Sequence, residues 1–248
     1  MRAALLDAIC EANRRLPALD LASLTWGNVS GRDPDSGLIA IKPSGVEYPQ
    51  LTPESLVVLT IDGEVVSGEL RSSSDTATHL ALYRAFPDLG GIVHTHSPAA
   101  TTLCQLGVDL PVLGTTHADH FDGTVPLVRT LSKSEVAEAY ELNTAVAIID
   151  HFRSCGIDPR RIPAALQHLH APFVWGKSVS AALENAVALE MCAAMALQAL
   201  AAGQRLVPIP DHILRKHQDR KHGPGATYGQ KPVAAQPDIR EDERCHTH

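Results

Sequence analysis

Short apolar runs alternate along the chain with clusters of turn-forming residues, and two periods can be read from them. Between Met1 and Leu16 the apolar residues are interrupted by Asp7, Glu11, Arg14 and Arg15. That pattern predicts an amphipathic helix over 3–15, ending before Pro17, and is unlike a signal peptide. Residues 24–42 predict two short strands around Asp33-Pro34-Asp35-Ser36-Gly37, the second being Leu38-Ile39-Ala40-Ile41. Leu56 to Ile61 reads as a strand that Asp62-Gly63 turns into Glu64-Val65-Val66, a hairpin signal. Thr76 to Ala85 predicts a partly buried helix, residues 90–94 a strand, and Ala99 to Gln105 a short helix. Pro126 to Val128 reads as extended. Ser132-Lys133-Ser134-Glu135 has the form of a capping box opening a helix to Ser154. Strands are expected at 165–170 and 172–175, then a long helix from Ser180 to Ala202.

Strands and helices mingle throughout, which predicts an α/β or α+β domain built on one sheet. The 248 residues allow one large domain or two small ones, with no clear linker before about Gly223. From there Pro, Gly and polar residues dominate, so residues 231–248 are expected to form a disordered tail. The apolar stretch Ala186 to Ala202 contains Glu190 and Gln198, and is expected as a buried helix, not a membrane span. The net charge of −7 argues against nucleic acid and anionic membranes as partners, yet leaves room for an anionic substrate in a pocket of opposite local field. Five scattered cysteines without CxxC spacing read as reduced packing thiols, which points to the cytoplasm.

The chemistry begins at Gly91-Ile92-Val93-His94-Thr95-His96, where two histidines at i and i+2 close an apolar run. Residues two apart on a strand share a face, so both imidazoles can meet at one point. His168 and His170 repeat the spacing. A catalytic metal needs about three protein ligands and an open position. His94, His96 and one of His168 or His170 would supply three, and spacing does not choose between the last two. His246 and His248 fall in the tail and are discounted.

Three further segments combine small residues, free amides and polar side chains: Trp26-Gly27-Asn28-Val29-Ser30-Gly31, Lys42-Pro43-Ser44-Gly45 and Ser72-Ser73-Ser74-Asp75-Thr76. Each alone is a turn or a helix cap. Together, beside a candidate metal site, they suggest a phosphorylated ligand. Asp119 sits in a Gly- and Thr-rich segment, Gly114-Thr115-Thr116-His117-Ala118-Asp119, expected as a loop after a strand. Lys216-His217, Lys221-His222 and Tyr228 form a basic, C-terminal cluster with a tyrosine that has little local core to pack into.

Taken in order, these segments resemble the class II aldolase family, and within it the L-ribulose-5-phosphate 4-epimerases. The resemblance covers about residues 1–230 and adds Pro172-Phe173-Val174-Trp175-Gly176-Lys177 and Arg220-Lys221-His222-Gly223 to the motifs above. It implies a three-layer α/β/α domain with a central mixed, largely antiparallel sheet, assembled as a homotetramer with active sites at subunit interfaces. It implies one divalent metal per subunit, usually Zn2+, with Mn2+ or another divalent ion as alternatives. His94, His96 and His170 would hold it, with Asp75 near or on the metal. Gly27, Asn28, Lys42, Ser44, Gly45, Ser73 and Ser74 would bind the phosphate of a small sugar phosphate. Asp119 and Tyr228 would be the acid/base pair, Tyr228 reaching a neighbouring subunit, with His217 as a further site residue.

The reaction so implied interconverts L-ribulose 5-phosphate and D-xylulose 5-phosphate by retro-aldol cleavage and re-formation of C3–C4, with the metal as Lewis acid. An aldolase of the L-fuculose-1-phosphate type is the alternative. Such aldolases carry Glu where this chain has Asp75, and the shorter arm favours the epimerase. A non-enzymatic, adducin-like assembly module lacks the metal ligands that this chain retains. His120 departs from the aromatic often found beside the acid/base Asp.

Overall fold

The computed structural model of the protein describes residues 1–224, 226 and 227. One eight-stranded sheet runs through it in the order β4-β3-β2-β1-β5-β8-β7-β6. The strands are β1 (Asn28–Arg32), β2 (Ile39–Ile41), β3 (Val57–Leu59), β4 (Val65–Ser67), β5 (Gly91–His94), β6 (Leu127–Val128), β7 (Ala164–Gln167) and β8 (Pro172–Gly176). Every pairing is antiparallel except β6 with β7. The sheet is therefore mixed and largely antiparallel, as expected.

Period-2 alternation sends neighbouring residues to opposite faces and creates two cores. Val93, Val174, Ala164 and Leu166 face one side, against α1 (Ala3–Arg15), α3 (Pro98–Leu106) and α6 (Val179–Ala201). Ile92, Phe173, Trp175 and Ala165 face the other, against α2 (Thr76–Ala85) and α5 (Lys133–Ser154). This is the three-layer α/β/α arrangement. Trp175 is wholly buried, with its indole N–H satisfied by the Pro159 carbonyl at 2.8 Å, so truncation to Ala should cost about 3–5 kcal/mol. α6 is long and apolar enough to cross a membrane by length and composition alone. Here Ala182, Leu183, Ala186, Leu189 and Ala193 are buried against the sheet and its neighbours. The close approach demands glycine: a Cβ at Gly91 would lie 2.6 Å from the Val179 Cα.

Most predicted elements are present, and four depart from the pattern. α5 opens with the expected capping box, Ser132 and Glu135, but is broken at Ala139, with φ −163° and ψ 79°. The second histidine pair is not on a strand. β7 stops at Gln167, and Leu169 takes a left-handed φ of 62°, so His168 and His170 part company. Residues 115–118, read as loop, form a short helix, α4 (Thr115–Ala118). A further helix, α7 (Asp211–His222), carries the C-terminal basic cluster. Cys10, Cys104, Cys155 and Cys192 are free thiols, all but Cys155 buried. The tail expected over 231–248 lies outside the described residues.

Candidate active site

One end of the sheet gathers the candidate residues. Asn28 opens β1 and lies opposite His94, the last residue of β5, which in turn lies opposite Phe173 of β8. Lys42 follows directly on β2, and Pro43 bridges to Ser72, bringing the Ser72–Thr76 segment and the start of α2 to the same edge. Gly27 enters the site at φ 75°, and a Cβ there would meet the His94 carbonyl oxygen at 2.8 Å. Glycine is thus required where the first loop passes over the histidine strand.

His94, His96 and His170 offer ligand atoms that all lie within 4.8 Å of one another. His94 Nδ1 donates to the Pro172 carbonyl at 3.0 Å, which fixes the tautomer and leaves Nε2 as a lone-pair donor aimed into the site. The Phe173 ring stacks on His94 at 4.2 Å and 16°, holding the imidazole plane. His94 Nε2 and His96 Nε2 are 3.1 Å apart. Two nitrogens ligating one cation at about 2.1 Å in tetrahedral geometry would be about 3.4 Å apart. Burial pushes His96 down to about 4, with His94 assisting, and His170 down to about 3, with His94 and His96 assisting, so both are neutral at physiological pH. His170 Nδ1 is buried without a hydrogen-bond partner among the described residues. Neutral imidazoles, a fixed tautomer and an orphaned buried nitrogen fit a divalent metal. His168 is not in this group; its ring lies beside Gly107.

A cavity of about 370 Å3 opens over the imidazoles. Gly27, Asn28, Lys42, Ser44, Gly45, Ser73, Ser74 and Asp75 all line it with His94, His96 and His170. The three loops marked in the sequence therefore converge on one space. The Asn28 amide donates to Asp75 Oδ2 at 2.7 Å and to Ser73 Oγ at 3.1 Å. Asp75 is the N-cap of α2, yet its side chain makes no capping bond; the carboxylate is turned to the cavity. Burial works to raise the Asp75 pKa, but the imidazoles of His94 and His79 and the Asn28 hydrogen bond outweigh it and hold the group below the ordinary carboxylate range. Among the described residues, Asp75 is not part of the three-residue metal group. Lys42 is buried, its ammonium contacting the Thr25 and Pro43 carbonyls at 3.3 and 3.4 Å, and burial lowers its pKa.

Asp119 and His217 meet elsewhere. His217 Nδ1 and Asp119 Oδ1 are 2.9 Å apart, and Arg220 donates to Asp119 Oδ2 at 2.8 Å. Neither Asp119 nor His217 lines the cavity over the imidazoles. Tyr228 lies outside the described residues. His120, the departure beside Asp119, accepts from Lys221 at 3.0 Å and lies 3.4 Å from Asn185 Oδ1.

The cavity also has walls that the sequence did not reveal. Tyr140 and Glu141 line it, with the Tyr140 ring 5.7 Å from that of His170. They follow directly on the break at Ala139, and no Pro or Gly at that point signals the break. Thr25 and Trp26 complete the rim.

The family model for the class II aldolase and adducin N-terminal domain matches residues 7–197. The chain belongs to this family. It is 49% identical over 223 residues, 90% of the chain and 97% of the relative, to a protein of Salmonella paratyphi B named L-ribulose-5-phosphate 4-epimerase UlaF. The Salmonella typhi protein of the same name matches to the same extent. Among solved structures, an L-fuculose 1-phosphate aldolase superposes with a TM-score of 0.74 at 25% identity, covering 89% of this chain and 97% of that one. The L-fuculose-1-phosphate aldolase of Thermus thermophilus gives 0.63 at 27%, covering 82% and 98%. The fold is thus that of the class II aldolases, a metal-dependent family, and the three imidazoles are the group among the described residues fit to hold the ion.

Proposed function

We propose that the protein is an L-ribulose-5-phosphate 4-epimerase, interconverting that sugar phosphate with D-xylulose 5-phosphate. The reading is supported by near-full-length similarity to relatives of that name. The observation that carries it is one cavity joining three clustered imidazoles to three amide- and hydroxyl-rich loops.

The carbon to be inverted is C4, which no carbonyl activates, so direct deprotonation there is unfavourable. Cleavage of C3–C4 avoids this: the C4 hydroxyl gives up its proton, C4 becomes an aldehyde carbon, and the bonding pair passes to an enediolate over C2 and C3. Rotation of the aldehyde and re-addition to its other face give the epimer. A divalent metal held by His94, His96 and His170 supplies a Lewis acid for developing negative charge on oxygen. Asn28, Lys42, Ser44, Gly45, Ser73 and Ser74, with the Gly27 turn behind them, bind the phosphate and keep the glycolaldehyde phosphate fragment from leaving while it rotates. Asp75, bonded to Asn28, links the phosphate loops to the imidazoles. Asp119 and Tyr228 exchange the C4 hydroxyl proton from opposite faces, and His217 orients Asp119.

Within one chain Asp119 lies away from the cavity, and this supports a homotetramer in which a neighbouring subunit supplies Asp119, His217 and Tyr228. The exposed Leu24, Trp26 and Leu169 are apolar groups that such an assembly would cover. The metal is zinc in this reading, residues 1–230 form the catalytic domain, and the enzyme works in the cytoplasm.

The test is a coupled assay of metal-loaded protein with L-ribulose 5-phosphate that follows D-xylulose 5-phosphate and free dihydroxyacetone together. Epimerisation yields xylulose 5-phosphate nearly alone. Dihydroxyacetone as the main product would make the protein an aldolase, and neither product, with no bound metal, would favour an assembly module.

A further inference from the structure

Beneath the cavity lies a wholly buried polar chain to which the reaction gives no role. Ser30 Oγ is 2.7 Å from His79 Nδ1 and 2.9 Å from the Tyr83 hydroxyl. Ser30, His79 and Tyr83 are all within 1% of complete burial. Ser30 is two residues from Asn28 on β1 and so shares its face. His79 and Tyr83 lie four apart on α2, on one stripe of that helix. A single hydroxyl therefore fixes two successive turns of α2 onto β1.

The consequence falls on the site. The Asp75 carboxylate is turned away from its own helix, so the capping interaction that usually anchors such an end is missing. The first turn instead begins with the His79 amide donating to the Asp75 carbonyl at 3.0 Å. Asn28 holds the Asp75 and Ser73 side chains, and the seating of α2 sets the backbone from which the Asp75 carboxylate meets that amide. The His79 ring also meets Phe173 edge-on at 6.2 Å, and Phe173 is the platform on which His94 stacks. One buried side chain touches the supports of both the acidic arm and the imidazole cluster. His79 Nε2 has no hydrogen-bond partner among the described residues. An apolar side chain of similar volume would fill the space without orphaning a nitrogen, so stability alone does not account for histidine here.

We propose that His79, held through Ser30, is a positioning residue that sets Asp75 and His94 for metal and substrate. The inference rests on the proposed reaction site, and the experiment separates the two. Wild type, His79→Leu, His79→Gln and Ser30→Ala are compared by thermal unfolding, by titration of the metal-free protein with Zn2+, and by kcat and KM on L-ribulose 5-phosphate. His79→Leu is expected to unfold at or above the wild-type temperature, to bind Zn2+ about tenfold more weakly and to lose about tenfold or more in kcat, with KM moved less than about threefold. Ser30→Ala should follow it in metal affinity and kcat. His79→Gln, which keeps a hydrogen bond to Ser30, should recover part of both. If His79→Leu does not fold, His79→Gln and Ser30→Ala decide the matter by the same readings. Folded variants with wild-type metal affinity and kcat would overturn the proposal. A wild-type protein that neither binds Zn2+ nor turns over the sugar would instead overturn the reading of the site.

Discussion

Asn28 holds Asp75: its amide donates to the carboxylate at 2.7 Å across 47 residues of chain, and the same nitrogen reaches Ser73. One amide at the start of β1 therefore orders the segment between the serine- and glycine-rich loops and the imidazoles. Asn28→Ala removes both bonds and leaves the three histidines untouched. The kcat/KM for L-ribulose 5-phosphate should fall about 100-fold, equivalent to about 2.7 kcal/mol of transition-state stabilisation. Metal content should stay at the wild-type level. Steady-state kinetics beside elemental analysis check this, and turnover within about twofold of wild type would remove Asn28 from the site.

Lys42 presents the opposite balance of stability and function. Its ammonium is buried against two carbonyls at long distance, and no carboxylate pairs with it among the described residues. A buried cation so placed costs stability until an anion arrives. Lys42→Met keeps the stem and removes the charge. The variant should melt at or above the wild-type temperature while KM rises about tenfold or more. Inhibition by inorganic phosphate should weaken in parallel. A lower melting temperature with unchanged KM would mean that the ammonium serves the fold.

Much of this was legible because the deciding interactions are local. Ser132 and Glu135 close their capping box within one turn, and Asp62-Gly63 makes its hairpin from adjacent residues. His94 and His96 needed only a strand ending in the right phase. The departures depend on partners distant in sequence. The break at Ala139 survives because Asn143 Nδ2 bonds the Glu135 carbonyl at 2.8 Å and Thr78 Oγ1, on α2, bonds the Glu141 carbonyl at 2.6 Å. No composition signal foretells that, so Tyr140 and Glu141 stayed hidden. The separation of His168 from His170 rests on Leu169 at a positive φ, a conformation that leucine seldom takes and that its sequence does not announce. Only the family resemblance distinguishes His170 from His168, and it is His170 that shares the cluster with His94 and His96.

His117 should make the protein acid-labile in a defined window. It is buried on α4 beside Phe121, and burial, with His120 assisting, pushes its pKa down to about 4 from an ordinary 6.5. Above about pH 6.5 neither the folded nor the unfolded chain protonates it, and its contribution is fully present. As pH falls towards 4 only the unfolded chain takes up the proton, so stability is lost. Denaturant unfolding of metal-free protein should show this group costing about 1 kcal/mol between about pH 7.5 and pH 5.5. His117→Gln should flatten the pH slope by that amount. A variant as pH-sensitive as wild type would show that His117 is not held neutral in the fold.

The sharpest test of the assembled site uses two inactive proteins. If a neighbouring subunit supplies Asp119, then Asp119→Asn and His96→Ala damage different halves of each site. Mixed tetramers made by dissociation and joint reassembly would contain some sites with an intact imidazole cluster from one subunit and an intact Asp119 from the next. Activity should return to roughly a quarter of wild type when equal amounts are combined, since about one interface in four then pairs two undamaged halves. The recovered activity should depend on metal, and each variant reassembled alone should remain inactive. Reassembled mixtures that form tetramers yet stay inactive would place Asp119 in the same chain's site or outside the reaction altogether. Within one chain the carboxylate is already bound by His217 and Arg220, so its orientation is set before any partner arrives. Complementation should therefore need only docking of preformed surfaces.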